Sequence, residues 1–270
     1  MRPSPAVSGS KVDLRPLALF FLLAYAISWA AWTIPIVPSL GPMLAAVIVA
    51  GVTAGPARLR SLLSGLARWR VGLRWWLVAV SPVAVLLLTL SALSASGQRW
   101  SDSTEAFRYF GGPGGLAVVW FVLVTVAASV GEEVGWRGYA LPQLQRRFRP
   151  LPATLILAVL WWLWHLEFFL LDNLPLIGFA AYLVEVTAVA IILTWLYNRS
   201  GGSILLVVVF HAAYNAVSFN AVTTTVVALA AILLGILLAV LELRAGRRGR
   251  SVLGGYPNPD LSEPQRVIAR

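Results

Sequence analysis

The chain lacks cysteine and has few charged residues and few histidines. Among its 270 residues there is no cysteine, there are only two histidines, and 12% of the residues are charged. The lack of thiols excludes disulfides, thiolate metal sites and a cysteine nucleophile. Any catalysis must therefore depend on other side chains.

Apolar residues dominate instead. They make up 59% of the sequence, and the mean hydropathy of +0.80 lies well outside the range of an ordinary soluble domain. The first apolar segment is longer than the core of a signal peptide and has no small-residue cleavage site, so we predict a retained span and no cleaved leader. The composition predicts a multi-pass membrane protein.

The apolar runs define the predicted topology. A transmembrane helix needs about 20 predominantly apolar residues, and on that criterion the fold class is all-α with about eight transmembrane helices. The second span is short for a full crossing. The predicted spans are 16–37, 41–55, 75–93, 115–135, 152–171, 176–197, 203–218 and 220–241.

The basic residues give an independent test of this topology, because cytoplasmic loops are enriched in Lys and Arg. With both termini inside, only Arg99 and Arg108 fall in outside loops, and Arg137, just past the end of the fourth predicted span, is counted on neither side. Membrane topology and contact with lipids, and not binding to nucleic acid, therefore explain the formal net charge of +10. The basic residues on the predicted inner side are Arg2, Lys11, Arg15, Arg58, Arg60, Arg68, Arg70, Arg74, Arg146, Arg147, Arg149, Arg199, Arg244, Arg247, Arg248, Arg250, Arg266 and Arg270.

We divide the chain into a cytoplasmic segment 1–15, a transmembrane domain 16–243 with a motif core at 115–218, and a basic tail 244–270 predicted to be disordered. Between spans two and three, leucines at helical spacing alternate with arginines. They predict an amphipathic helix, which lies either on an anionic leaflet or against the helix bundle. The leucines are Leu59, Leu62, Leu63 and Leu66.

A few polar residues remain at membrane depth, where charges are costly and usually functional. The sequence GEEVGWRG at 131–138 supplies two carboxylates and an arginine, and both histidines of the chain fall in other apolar spans. At about 1.5 Å per residue, Glu132, His165 and His211 lie roughly 21, 23 and 15 Å from the inner helix ends. We therefore predict one shared site near mid-bilayer. Its candidates are Glu132, Glu133, Arg137, His165, Glu185, His211 and Asn215.

Helix geometry distinguishes the two glutamates. Glu133 and Arg137 are four residues apart and share a face, so we predict a structural ion pair that lowers the cost of both charges. Glu132 points about 100° away and is left as the chemical carboxylate. Gly135 and Gly138 permit either close helix packing or room for water and a substrate.

This set of side chains suits peptide hydrolysis in two versions. In the first, His165 and His211 join Glu132 or Glu133 to hold a divalent metal such as Zn²⁺, whose bound water attacks the peptide. In the second, Glu132, oriented by His165, activates a water without metal, and His211 with Asn215 stabilises the oxyanion. The sequence contains neither HExxH nor GxSxG, and it has no pair of intramembrane aspartates.

Three ordered motifs carry a family resemblance. Glu132-Glu133-x-x-x-Arg137, Trp161-x-x-x-His165 and His211-x-x-x-Asn215 resemble the motifs of the CPBP family, the CaaX-protease and bacteriocin-processing ("Abi") group of intramembrane metalloproteases. Trp161 stands where the family often has Phe, and we expect it to serve the same packing role. The resemblance implies an intramembrane endopeptidase in which Glu132 activates water with His165, and His211 and Asn215 complete the catalytic or metal-binding set.

The resemblance does not transfer the substrate, which is expected to be a peptide or membrane protein. The arginine-rich, cysteine-free character is typical of a high-GC bacterium, so we expect the bacterial cytoplasmic membrane and a role in peptide maturation, self-immunity or envelope processing. Two other classes stay open. One is a proton-coupled transporter using Glu185 and Glu132, and the other is a non-catalytic membrane scaffold. Glu185 also has a structural interpretation, as an acid hydrogen-bonded to a neighbouring helix.

Overall fold

The computed structural model describes residues 14–31, 37–96, 115–171, 175–217 and 221–255. All regular secondary structure in these ranges is helical, which confirms the all-α fold. The polar loop predicted between spans three and four falls largely outside the described residues. The helices before it are α1 (Arg15–Ala30), α2 (Val37–Ser64), a 3₁₀ turn (Gly65–Ala67), α3 (Leu73–Ala79) and α4 (Ser81–Ala95).

The motif-bearing half of the chain begins with α5, which continues through a π-helical turn into α6 as one long apolar helix. A single residue separates α7 from α8. The elements are α5 (Gly115–Glu133), the π-helical turn (Val134–Ala140), α6 (Leu141–Gln145), α7 (Pro150–Trp164), α8 (Leu166–Leu171), α9 (Leu176–Arg199), α10 (Ile204–Val217) and α11 (Ala221–Gly246).

Each of the eight predicted spans overlaps a helix, and the chain is an integral membrane protein. Within the described residues, five helices are long and apolar enough to cross a membrane, and α3 with α4, bent by 54°, makes a sixth if the pair is one span. Helices α1 and α10 are apolar but shorter than a full span. The count of eight crossings and the inside position of both termini stay predictions.

The basic segment after the second span packs against the bundle on one side. Gly55 has a φ of 70°, and Pro56 follows it, so the helix direction changes there. Of the four leucines that define the amphipathic pattern, Leu62 is buried in the core, whereas Leu63 is 40% exposed. Leu59 and Leu66 are partly buried against the same core. The segment thus has the bundle contact that one of the two interpretations predicted.

Helix α2 lies very close to the helix that carries the two glutamates. A Cβ atom added to Gly131 would overlap the backbone of Ser39 and Leu40, and one added to Gly135 would overlap Pro42. Small residues four apart let two helices approach at backbone distance. Of the two roles considered for Gly135, the structure shows close packing. A Cβ on Gly138 would likewise meet the side chains of Ile204 and Leu62.

Residues 244–255, the first part of the tail predicted to be disordered, belong to the described structure. Helix α11 continues to Gly246, and residues 251–254 fold back onto the ends of α9 and α11. The buried Glu242 carboxylate accepts hydrogen bonds from the backbone N–H groups of Val252 and Leu253 at 2.6 and 2.9 Å. The Arg199 guanidinium donates to the carbonyls of Ser251 and Val252. These partners order the segment, and the rest of the tail, 256–270, lies outside the described residues.

Candidate active site

The predicted pair of Glu133 and Arg137 is present and fully buried. Arg137 Nη1 lies 2.8 Å from Glu133 Oε1, and both side chains have no exposed surface. The same carboxylate oxygen lies 2.7 Å from Nδ1 of His211 on α10. Glu133 therefore joins the first motif to the third, a link that the spacing within one helix did not reveal.

Arg137 also contacts the second motif. Its guanidinium carbon lies 4.5 Å from the centroid of the Trp161 ring on α7, at the distance of a cation–π interaction. The guanidinium is held between a carboxylate of its own helix and an aromatic ring of another. Because an unpaired charge at this depth would be costly, this arrangement stabilises three helices around one buried cation.

Glu132 faces away from this ion pair, as its position one residue earlier on the helix predicts. Its Oε2 accepts a hydrogen bond of 2.9 Å from Trp161 Nε1, and the residue is 6% exposed. The sequence predicted that His165 orients Glu132. In the structure, the hydrogen-bond donor to the Glu132 carboxylate is instead the Trp161 indole. Trp161 therefore does more than pack, because phenylalanine at this position has no N–H to donate.

His165 occupies the break between α7 and α8. Its backbone N–H bonds to the Trp162 carbonyl, at 3.0 Å, so the chain tightens by one residue there. The Trp161 carbonyl, which a regular α-helix would bond to that N–H, instead lies 2.8 Å from the His165 ring Nδ1. With Nδ1 donating to this carbonyl, Nε2 is the ring nitrogen that can accept a proton or bind a ligand.

Side chains of all three motifs line one cavity of about 70 Å³. Glu132, Trp161, His165, His211 and Asn215 contribute to its wall, so the predicted convergence is present in the described residues. Glu132 and His211 are buried, whereas Asn215 is exposed. A cavity of this size, lined by carboxylate, imidazole and amide groups, has room and partners for ordered water.

A second, larger cavity of about 160 Å³ shares two wall residues with the first. Glu132 and His165 line both cavities. The larger one is bounded by aromatic rings, among them Trp29, Trp164 and Phe168. Glu132 and His165 thus lie at the junction of a narrow polar cavity and a wider aromatic one.

The π-helical turn begins directly after Glu133 and contains Arg137. Such turns interrupt the α-helical register and occur frequently at functional sites. The apolar pattern predicted a regular helix in this stretch. Glycine at 135 and 138 in an apolar helix is the sequence signal that accompanies the irregularity, although it does not specify a π-helix.

Glu185 lies in the same polar cavity as the motif residues. It accepts a hydrogen bond of 2.7 Å from the Tyr214 hydroxyl on α10, so it has the interhelical contact expected of a structural acid. It also lines the cavity, on a face of α9 that includes Tyr182, Val186 and Val189. Sequence reasoning identified Glu185 but not its neighbours Tyr182 and Tyr214, because tyrosines in apolar spans are common.

The predicted metal ligands do not form a complete cluster. Within the described ranges, no three His, Asp or Glu side chains have the arrangement that could hold a metal ion. His165 and His211 each have Nδ1 engaged by an oxygen, at 2.8 and 2.7 Å, as metal-bound imidazoles commonly do. A metal site formed by His165, His211 and either Glu132 or Glu133 stays a prediction.

Trp161→Phe is expected to lower the turnover of this site by about tenfold, because it removes one hydrogen bond to a buried carboxylate, and such bonds contribute about 1.5–3 kcal/mol. The aromatic packing is kept, so the stability in detergent should change much less than the turnover. Steady-state kinetics and thermal unfolding check the two effects. Unchanged turnover in a folded variant would contradict the orienting role of the indole.

The fold and the site together define an integral membrane protein with a buried acid–imidazole centre. Residues 114–217 match the family model "Type II CAAX prenyl endopeptidase Rce1-like". This match spans all three motifs and confirms the resemblance to the CPBP family that they carry.

A curated relative supports the same family. The chain is 28% identical over 145 residues to "CAAX prenyl protease 2" of Methanococcus maripaludis. The match covers 50% of this chain and 51% of the relative, so the chain spans about half the length of the curated relative it matches. The match supports the family, and the prenyl specificity in the name is a property of that relative.

Proposed function

We propose that this protein is an intramembrane endopeptidase that hydrolyses a peptide bond with a water activated by Glu132 and His165. The observation that carries the proposal is the convergence of Glu132, His165, His211 and Asn215, from three separate motifs, on one cavity of about 70 Å³. The substrate class is a peptide or a membrane protein whose scissile bond reaches the junction of the two cavities.

The first step is attack of water on the peptide carbonyl. A water at the junction donates one proton to the free oxygen of Glu132 and is positioned by Nε2 of His165. Trp161 holds the other oxygen of Glu132 at 2.9 Å, so the carboxylate keeps its orientation during the proton transfer. The water oxygen forms the new bond to the carbonyl carbon, and the carbonyl oxygen becomes an oxyanion.

The oxyanion is stabilised from α10. When His211 is protonated, its Nδ1–H donates to Glu133 and its Nε2–H remains for the oxyanion. The Asn215 amide, four residues further on the same helix face, supplies a second donor. The carbon–nitrogen bond then breaks, and Glu132 passes the proton it received to the leaving amine.

The proposal is tested with the purified full-length protein in detergent and a quenched membrane-anchored peptide library. Mass spectrometry of the products should show one dominant cleavage position, with a carboxylate and an amine as the new ends. A library left intact under conditions where the protein is folded would contradict the proposal. A transmembrane flux of protons without cleavage would favour the transporter class instead.

Removing metal ions is expected to leave most of the turnover intact, because the described residues do not bring three metal ligands together. The measurement is elemental analysis of active protein, followed by dialysis against a chelator and kinetic assay. If activity falls with the loss of one equivalent of zinc and returns when zinc is added, the site is a metal centre formed by His165, His211 and a glutamate. Retained activity in metal-free protein supports water activation by Glu132.

A further inference from the structure

The carboxylate of Glu185 lies in the cavity wall and has no part in the mechanism above. It is half-buried, and the Tyr214 hydroxyl donates to its Oε1 at 2.7 Å. Its second oxygen, Oε2, is a further acceptor in the same wall. A carboxylate at membrane depth is costly, so a role in ligand binding is a physical reason to retain it.

The neighbours of Glu185 form a surface suited to a cation. Two tyrosines, Tyr182 and Tyr214, line the cavity beside it, and tyrosine faces attract cations through their ring electrons. Three carboxylates lie at or next to the cavity, Glu132, Glu133 and Glu185. The one arginine among them, Arg137, is engaged by Glu133 and stacked on Trp161. His211, when protonated, is bonded to Glu133 as well, so these two cations offset two of the three carboxylates and leave one negative charge for a ligand.

The shape of the cavity limits what the cation can be. A volume of about 70 Å³ is small, and the wall contains Val186 and Val189 as well as polar groups. An unbranched side chain with a charged end matches such a wall, since its methylenes pack on the valines and its ammonium reaches the carboxylate. The opening toward the scissile bond is the junction at Glu132 and His165.

We propose that Glu185, held by Tyr214, selects substrates with a lysine side chain next to the scissile bond. The inference depends on the proposed endopeptidase function and names the substrate preference of the same cavity. The wider aromatic cavity accommodates the rest of the peptide, and the narrow cavity accepts the basic side chain.

The test compares peptides that differ only in lysine or norleucine at each position flanking the cleaved bond. Norleucine keeps the methylenes and lacks the ammonium, so the ratio of the two kcat/KM values isolates the charge. For the wild-type protein we expect lysine to be preferred at one of the two positions by about tenfold or more, as for a buried charge-assisted hydrogen bond. Glu185→Gln should reduce this ratio to about one.

Glu263→Gln, in the tail outside the described residues, serves as a matched control and should keep the wild-type ratio. If Glu185→Gln cannot be purified in folded form, the wild-type ratio itself and competition by a non-cleavable lysine peptide decide the question. A wild-type ratio near one at both positions, or an unchanged ratio in folded Glu185→Gln, overturns the inference while leaving cleavage established. Absence of cleavage of every peptide would instead overturn the proposed function.

Discussion

Glu132→Gln is expected to lower kcat/KM by at least about 100-fold and by up to about 10⁴-fold, the range attributed to a positioned general base. Glutamine keeps the size of the side chain and an oxygen that accepts from Trp161 Nε1, but it cannot take a proton from water. The fold should therefore persist. Cleavage of the membrane peptide measures the loss, and circular dichroism with thermal unfolding in detergent measures the fold.

The contrast with an acid of the C-terminal tail makes this experiment specific. Glu263→Gln makes the same chemical change in the tail and should retain full turnover. If folded Glu132→Gln retained wild-type turnover, Glu132 would not be the base. The neighbouring Glu133 would not be a ready replacement, because its side chain has no exposed surface and does not line the polar cavity that holds Glu132.

The main effect expected of Glu133→Ala is a lower stability of the fold. The substitution leaves the Arg137 guanidinium, which has no exposed surface, without its carboxylate partner. Breaking a buried ion pair in this way typically costs about 3–5 kcal/mol, so we expect a low yield of folded protein or a large drop in the unfolding midpoint. Denaturant titration in mixed micelles measures the change in the free energy of unfolding.

A double variant separates loss of the pair from loss of the side chain. Glu133→Leu with Arg137→Met removes both charges and keeps apolar volume, so it should be more stable than Glu133→Ala. Both variants are expected to be poorly active, since His211 loses its oxygen partner in each. A Glu133→Ala protein as stable as the wild type would show that the ion pair does not support the fold.

The positions of the helices could be predicted from sequence because apolar length is a local property. The ion pair of Glu133 and Arg137 could also be predicted, since residues four apart on a helix share a face. Boundaries were less accurate: the span predicted to end at 135 continues to Gln145 through the π-helical turn, and the last helix continues to Gly246. Hydropathy does not record such changes of helical register.

The contacts between helices could not be predicted in the same way. That Trp161 donates to Glu132, and that His211 bonds to Glu133 and not to Glu132, depends on how α5, α7 and α10 rotate against one another. Tryptophan in an apolar span is also typical of a lipid-facing residue, so its indole N–H carries no local signal. The motifs predict the residue types of the site, whereas the hydrogen bonds between these residues depend on how the helices pack.

The close contact of α2 with Gly131 and Gly135 has a consequence for how a peptide enters. The backbone of Ser39 to Pro42 fills the space that a methyl group on either glycine would need. Helix α2 and the glutamate-bearing helix are therefore too closely packed to slide past one another. We therefore expect these two helices to stay packed together during any opening movement. The part of the polar cavity wall that α9 supplies, with Tyr182 and Glu185, takes no part in this contact.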